Sequence, residues 1–192
     1  MFVQITKEEF SKEIIKKAWY QTNNIIFTII LLYPLFSIVD FIYSEGIWLQ
    51  FFIIRIITVI VIYALYTFFQ RKKYNYRILL HISFLLLSVT SALLCSVVNI
   101  EQLNIYFLLY SAIILFFNLQ VFWEPFNSVI QTLAAYLLLL IFFNLFSAYN
   151  LDLFISNGGQ FFFITSAISC LIPSARHKVM ERDVSSQILI EK

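Results

Sequence analysis

The chain has 192 residues, 61% hydrophobic and only 12% charged, whereas a soluble domain carries about 25% charged residues. Apolar runs long enough to cross a bilayer recur along its whole length, so a water-soluble globular domain is excluded and the lipid bilayer is its first partner. A formal charge of +2 gives no bulk reason to expect a nucleic-acid partner.

Residues 1–23 come first and carry mixed charge. Thr6 and Glu9 fit a capping box, and Phe10, Ile14, Ile15, Ala18 and Trp19 share one helical face, with Lys7, Lys12, Lys16 and Lys17 opposite. The pattern predicts an amphipathic helix over 6–20 lying at the inner membrane surface; a plain lead-in to the first span is the alternative. The first apolar run starts near Asn24, is too long for a signal-peptide core and is followed by no small-residue cleavage site, so it reads as a retained span.

Six spans follow, over 24–43, 48–69, 78–98, 105–123, 128–148 and 161–175, the last starting earlier, near Leu153. The runs are continuously apolar and do not alternate, which excludes a β-barrel and leaves helices. The expected fold is an all-α integral membrane protein: a six-transmembrane helix bundle over 24–175, preceded by the amphipathic helix of 1–23 and followed by an exit helix over 176–192.

Polar residues punctuate these spans. Asp40 lies six residues from the turn at Gly46 and Arg55 nine, a depth difference of about 4–5 Å at helical rise, within reach of an arginine side chain. A charge at membrane depth is costly and is paired or lines a cavity. The two residues therefore either pin the first span to the second or anchor a ligand head group, and the two roles are compatible. With Tyr33 and Asn144 they form the candidate ligand pocket. Ser83, Ser88, Thr90, Ser91 and Ser96 suit close packing and predict a third span buried in the bundle. Asn118 and Gln131 flank the turn WEPFN and are expected to bond across helices as glue. Pro34 predicts a kink, Pro125 a helix start, and Pro173 either a signalling hinge or a simple break at the membrane surface.

The segment after Pro173 turns polar, with Met180, Val184 and Ile188 recurring every four residues. A helix with one apolar stripe and nothing in its own chain to cover it needs a partner, so a homodimer of parallel exit helices is expected; lying on the membrane surface is the alternative. The pattern reaches Lys192 without a cap residue, which predicts continuation into a covalently linked cytoplasmic output domain.

Much catalytic chemistry has no foothold. Cys95 and Cys170 sit alone in apolar runs without metal spacing and read as packed small residues. His81 and His177 are the only histidines and make no haem pair or zinc motif, and three glycines allow no phosphate-cradling loop. The chain by itself is expected to be no enzyme and to hold no cofactor or metal.

The stretch LYPLFSIVDFIYSEGIWLQFFIIR has an aromatic-proline step, a polar residue near the end of its span, a short loop and an early arginine in the next span. With the basic RKK turn, the compact later hairpins and the Arg-containing exit helix, it resembles the six-helix membrane input domains of bacterial sensor histidine kinases, of the cholera-autoinducer quorum-sensing type, and of class III adenylyl cyclases. The resemblance is one of layout over the whole chain. It implies a sensory input domain in a bacterial inner membrane, detecting a small lipophilic ligand or a membrane state. The phosphorylated-histidine box, the ATP-binding region and the cyclase domain of those proteins have no counterpart among these residues. The competing reading is a small six-helix transporter or transporter subunit. Against it stand spans with almost no Gly or Pro interruption and no visible inverted repeat.

Orientation follows from charge. Twelve of the thirteen basic residues fall in residues 1–23, in 71–77 and in the tail, whereas the alternate loops hold Glu45, Glu101 and Asp152 and no Lys or Arg. The positive-inside rule then places both termini in the cytoplasm. Reporters fused within 71–77 or after Lys192 should read cytoplasm, and reporters at Glu45, Glu101 and Asp152 the outside. A cytoplasmic reading at Asp152 contradicts six spans.

Overall fold

The computed structural model describes residues 7–44, 46–72, 74–121 and 124–191, without the side chains at 7–9, 11, 12, 151, 177, 180, 181 and 187–191. The described residues are helical nearly throughout and contain no strand. Span one is built by α1 (Lys7–Leu35) and α2 (Ser37–Tyr43), span two by α3 (Trp48–Lys72) and span three by α4 (Tyr76–Val97). A 3-10 turn at Ile100–Gln102 leads into α5 (Leu103–Gln120), and α6 (Pro125–Phe146) follows. The last span comprises α7 (Leu151–Phe154), a π-helical turn at Ile155–Gly159, α8 (Gln160–Ser169) and the start of α9 (Ile172–Glu191). Six stretches are long and apolar enough to cross a membrane: Glu13–Tyr43, Trp48–Lys72, Tyr76–Val97, Ile100–Gln120, Pro125–Phe146 and Asp152–Arg176. The chain is thus an all-α, six-helix, multi-pass membrane protein.

The outer surface, unlike that of a soluble bundle, is apolar as well as the core. Leu31, Ile60, Leu137, Leu145 and Leu171 are exposed, as suits residues facing hydrocarbon. The centre is α4, whose spanning window is 56% buried against 44% or less for the other five. Its serines at 83, 88, 91 and 96 are all buried, and small side chains let neighbouring backbones approach. It packs most extensively against α6. Aromatic rings fill the spaces between helices: Phe84 meets Phe117 at 5.0 Å, Tyr110 meets Phe162 at 4.8 Å and Phe107 meets Phe154 at 4.8 Å between ring centroids.

Two local expectations are revised. The amphipathic segment is not a separate helix, because α1 runs from Lys7 through Leu35 without a break. Its apolar face serves the bundle: Ala18 is in the core and Trp19 packs edge-on against Tyr76 at 6.2 Å. The proposed cap at Thr6 lies outside the described residues. Span one breaks at Phe36, just after Pro34, whose missing N–H weakens the turn there. The Phe36 N–H bonds back to the Tyr33 carbonyl at 3.3 Å, a tight turn that re-aims α2.

The last span begins near Leu153, as expected, but it is interrupted twice, so the expectation of nearly unbroken spans fails here. The first interruption is the π turn, where Gly158 takes φ +103°. Its neighbour Gly159 packs so closely on Phe154 that a Cβ would lie 2.4 Å from the ring, so position 159 has no room for a side chain. The second is at Cys170 and Leu171, whose N–H groups bond to the carbonyls of Ala167 and Ile168 at 3.3 and 3.1 Å. Pro173 follows in the first turn of α9 and cannot donate back to the preceding helix. Pro125 sits at the first position of α6, where the absent N–H is harmless.

Candidate functional site

Asp40, Arg55 and Tyr33 come together at the end of the bundle away from the basic loops. Arg55 Nε donates to Asp40 Oδ2 at 2.7 Å and Nη2 donates to Oδ1 at 3.0 Å, a two-pronged pair between α2 and α3. The side chains are only 2% and 0% exposed. Tyr106 of α5 donates its hydroxyl to Asp40 Oδ1 at 2.8 Å and accepts from Ser44 Oγ at 2.7 Å. Asp40 lies in the first turn of α2, where the helix dipole favours a carboxylate. The guanidinium sits 5.0 Å from the centre of the Tyr33 ring and 5.7 Å from that of Phe36. Ring faces are an additional favourable surroundings for a desolvated cation. Tyr33 is held in turn by donating to Thr90 Oγ1 of α4 at 2.7 Å.

Four helices thus meet on one ion pair, and both carboxylate oxygens are engaged within the chain. Tyr106 and Ser44 were missed in the sequence. The one available signal was depth, since Tyr106 lies just inside the same end of its span as Asp40 does of its own. Asn144 does not join them: it is exposed on α6 and bonds to none of these residues. The spacing that put it in span five carried no information about which way that helix faces.

Beside the pair lies a small apolar cavity of about 80 Å³, walled by Thr28, Ile29, Leu32 and Tyr33 of α1, by Phe36, by Leu87 of α4, and by Ala112, Ile113, Phe116 and Phe117 of α5. Its surface is almost wholly carbon. Tyr33 and Phe36 belong both to this wall and to the guanidinium's surroundings. A body entering the cavity presses on the same rings that flank Arg55.

A second polar cluster surrounds the break before Pro173. Asn118 of α5 donates to Ser169 Oγ at 2.7 Å and accepts from Ser128 Oγ of α6 at 2.6 Å. Ser169 Oγ donates on to the Ser166 carbonyl at 2.7 Å, and Cys170 Sγ lies 3.0 Å from Thr132 Oγ1. Asn118, Ser128, Ser166 and Ser169 are all essentially buried. Asn118 therefore does not bond to Gln131 as expected. Gln131 instead meets His81 of α4.

The exit helix α9 is covered in part by its own chain, which corrects the premise that its stripe lacks an internal partner. Val184 is 1% exposed, and Lys17 of α1 pairs with Asp183 beside it. The side chains of Met180 and Ile188 lie outside the described residues. Pro173 is buried at the start of α9. The basic end is tied further by Gln21 of α1, whose amide donates at 3.1 Å to the Gln120 carbonyl of α5, and by Arg77 with Glu124 at 3.0 Å.

The chain matches no protein-family model, no curated protein and no solved structure.

The geometry of the buried pair sets its energetics. Removing one partner strands an uncompensated charge, which costs about 3–5 kcal/mol. Asp40→Asn and Arg55→Gln should each destabilise the folded bundle in detergent by about that amount, and the double variant should cost clearly less than the sum of the two. Strict additivity in a denaturation series would mean that the pair is not coupled.

Proposed function

We propose that this chain is a membrane-embedded sensory input domain. It takes a small lipophilic ligand, or a segment of lipid chain, into the apolar cavity and reports its presence to a cytoplasmic kinase or cyclase module through α9. The observation that carries this reading is the continuity of α1. One unbroken helix walls the cavity with Thr28, Ile29, Leu32 and Tyr33, and it holds the exit helix with Lys17. From Tyr33 to Lys17 is sixteen residues, about 24 Å at helical rise. A rigid rod of that length carries a tilt at the cavity into a displacement at α9.

The chemistry of the occupant follows from the walls. A cavity with almost no polar surface selects hydrocarbon, and about 80 Å³ holds a short alkyl segment rather than a drug-sized molecule. The ion pair next to it is already satisfied within the chain, so it supplies stiffness and no free binding atom. Signalling then requires that the occupant favour one arrangement of α1 over another, since equal affinity for both shifts nothing.

A transporter remains the second reading, and one observation favours it. Spans one and six are interrupted, at Phe36 and at Ile155–Gly159 and Cys170–Leu171. Broken helices flank substrate sites in many transporters. The saturated state of Asp40 weighs against it, because a coupling-ion site needs ligand atoms left open.

The test uses fusions of the whole chain, through α9, to a histidine-kinase catalytic module, with the helical phase varied over one heptad. Ala112→Phe projects a phenyl group into the cavity rim and imitates an occupant. At one or more phases it should change autophosphorylation at least about fivefold, the scale of about 1 kcal/mol of differential stabilisation between two states. No response at any phase, together with solute uptake by proteoliposomes holding the chain, would move the transporter ahead.

A further inference from the structure

The apolar cavity of about 80 Å³ lies between α1 and α5, with Leu87 of α4 at its floor. Both helices pack on α4, and the cavity is the gap they leave beside it. Two of its wall residues, Leu32 of α1 and Ala112 of α5, are also exposed on the outer surface of the bundle. We propose that the occupant of this cavity is the methyl end of a lipid acyl chain, which enters sideways between α1 and α5. The proposal deepens the sensory reading and rests on it only in taking the same cavity as the input site.

Three observations point the same way. The first is depth. Thr28 is the middle residue of the crossing stretch Glu13–Tyr43, Leu87 lies at the middle of Tyr76–Val97, and Ala112 lies just past the middle of Ile100–Gln120. The cavity therefore straddles the bilayer midplane, about 15 Å from either edge of the hydrocarbon. A lipid anchored by its headgroup reaches that level only with the end of its tail. The second is hydrogen bonding. The wall side chains carry two hydroxyls, and both donate within the chain: Thr28 Oγ1 to the Asn24 carbonyl at 2.7 Å and Tyr33 to Thr90 Oγ1 at 2.7 Å. A ligand with a polar group would bury it here without a partner, a cost that a plain hydrocarbon end avoids. The third is the mouth. The outward face of α5 presents Leu108, Ala112 and Leu115, all exposed, so a single methyl group stands between two leucines. That notch opens the cavity to hydrocarbon where a larger side chain at 112 would close it.

The occupant would also act on α1. Tyr33 and Phe36 stand on either side of the break in span one, and both belong to the cavity wall. Occupancy would follow how far tail ends reach and how they are ordered. The sensed quantity is then the state of the acyl chains rather than the concentration of a dissolved signal.

The experiment uses the full chain in nanodiscs doped with phosphatidylcholine that carries a photoreactive diazirine, either at the methyl end of one tail or beside its carboxyl. Adducts are mapped by mass spectrometry after digestion. The methyl-end probe should label 28–36 and 112–117 more heavily than the segment around Leu137, which is exposed near the middle of α6 and serves as the reference for plain lipid contact. The carboxyl-end probe should label neither cavity segment above that reference. Ala112→Phe should lower methyl-end labelling of 28–36 at least about fivefold relative to the reference, the scale of one clash in a filled space. Leu32→Ala widens the mouth and should raise labelling of 112–117, an outcome that misfolding does not produce. Cavity labelling no higher than the reference, or unchanged by Ala112→Phe, would overturn the acyl-chain occupant. If a kinase fusion still responded to Ala112→Phe in that case, the sensory reading would stand with a dissolved lipophilic ligand in the cavity. Labelling as expected with no response from any fusion would uphold the occupant and remove the sensory reading.

Discussion

A carboxylate and a guanidinium shut away from water govern the arrangement of this bundle. Each ion alone carries a desolvation cost of several kcal/mol, and only a partner at close range with full hydrogen bonding offsets it. Asp40 and Arg55 meet that condition through two bonds to each other, one from Tyr106 and two flanking aromatic rings. Because those groups come from α1, α2, α3 and α5, and Tyr33 reaches α4 at Thr90, few other relative placements of the helices keep both charges satisfied. Between helices in hydrocarbon, where apolar burial discriminates poorly, such a pair is an effective source of register.

The opposite end is organised by weaker and more numerous contacts. Asn118, Ser128 and Ser169 hold the place where the last span loses its backbone bond ahead of Pro173. Neutral hydrogen bonds of this kind average well under 2 kcal/mol between membrane helices. Lys17 with Asp183 is partly solvated, and exposed pairs contribute about 0–1 kcal/mol. The bundle is therefore stiff at the ion-pair end and compliant where α9 leaves it. That gradient suits a rod such as α1, fixed by the ion pair near Tyr33 and held by weaker contacts near Lys17.

Much of this was legible in the residues. Span number and approximate limits followed from the apolar runs, and the buried third span from its serines. The approach of Asp40 to Arg55 followed from counting along two antiparallel helices joined by a short loop. What escaped depends on rotation about helix axes. Asn144 has the right depth and faces the wrong way, and Asn118 bonds to Ser128 and Ser169 rather than Gln131. A uniformly apolar helix carries no amphipathic signal to fix its rotation. The continuity of α1 was hidden by a change of composition near Asn24, which is not the end of a helix. The packing of α9 joins segments far apart in the chain, as in the pairing of Lys17 with Asp183, a separation at which periodicity is silent.

The claim that α1 carries a signal from the cavity to the exit helix is tested most directly by a distance measurement. Spin labels at Lys16→Cys and Lys178→Cys, both exposed, report the separation of α1 from α9 in nanodiscs, with labelled chain diluted in unlabelled chain. Pulsed electron paramagnetic resonance should give one principal distance for the otherwise unchanged protein and a shifted or second population when Ala112→Phe fills the cavity. Superimposable distance distributions with and without the filled cavity would contradict the account.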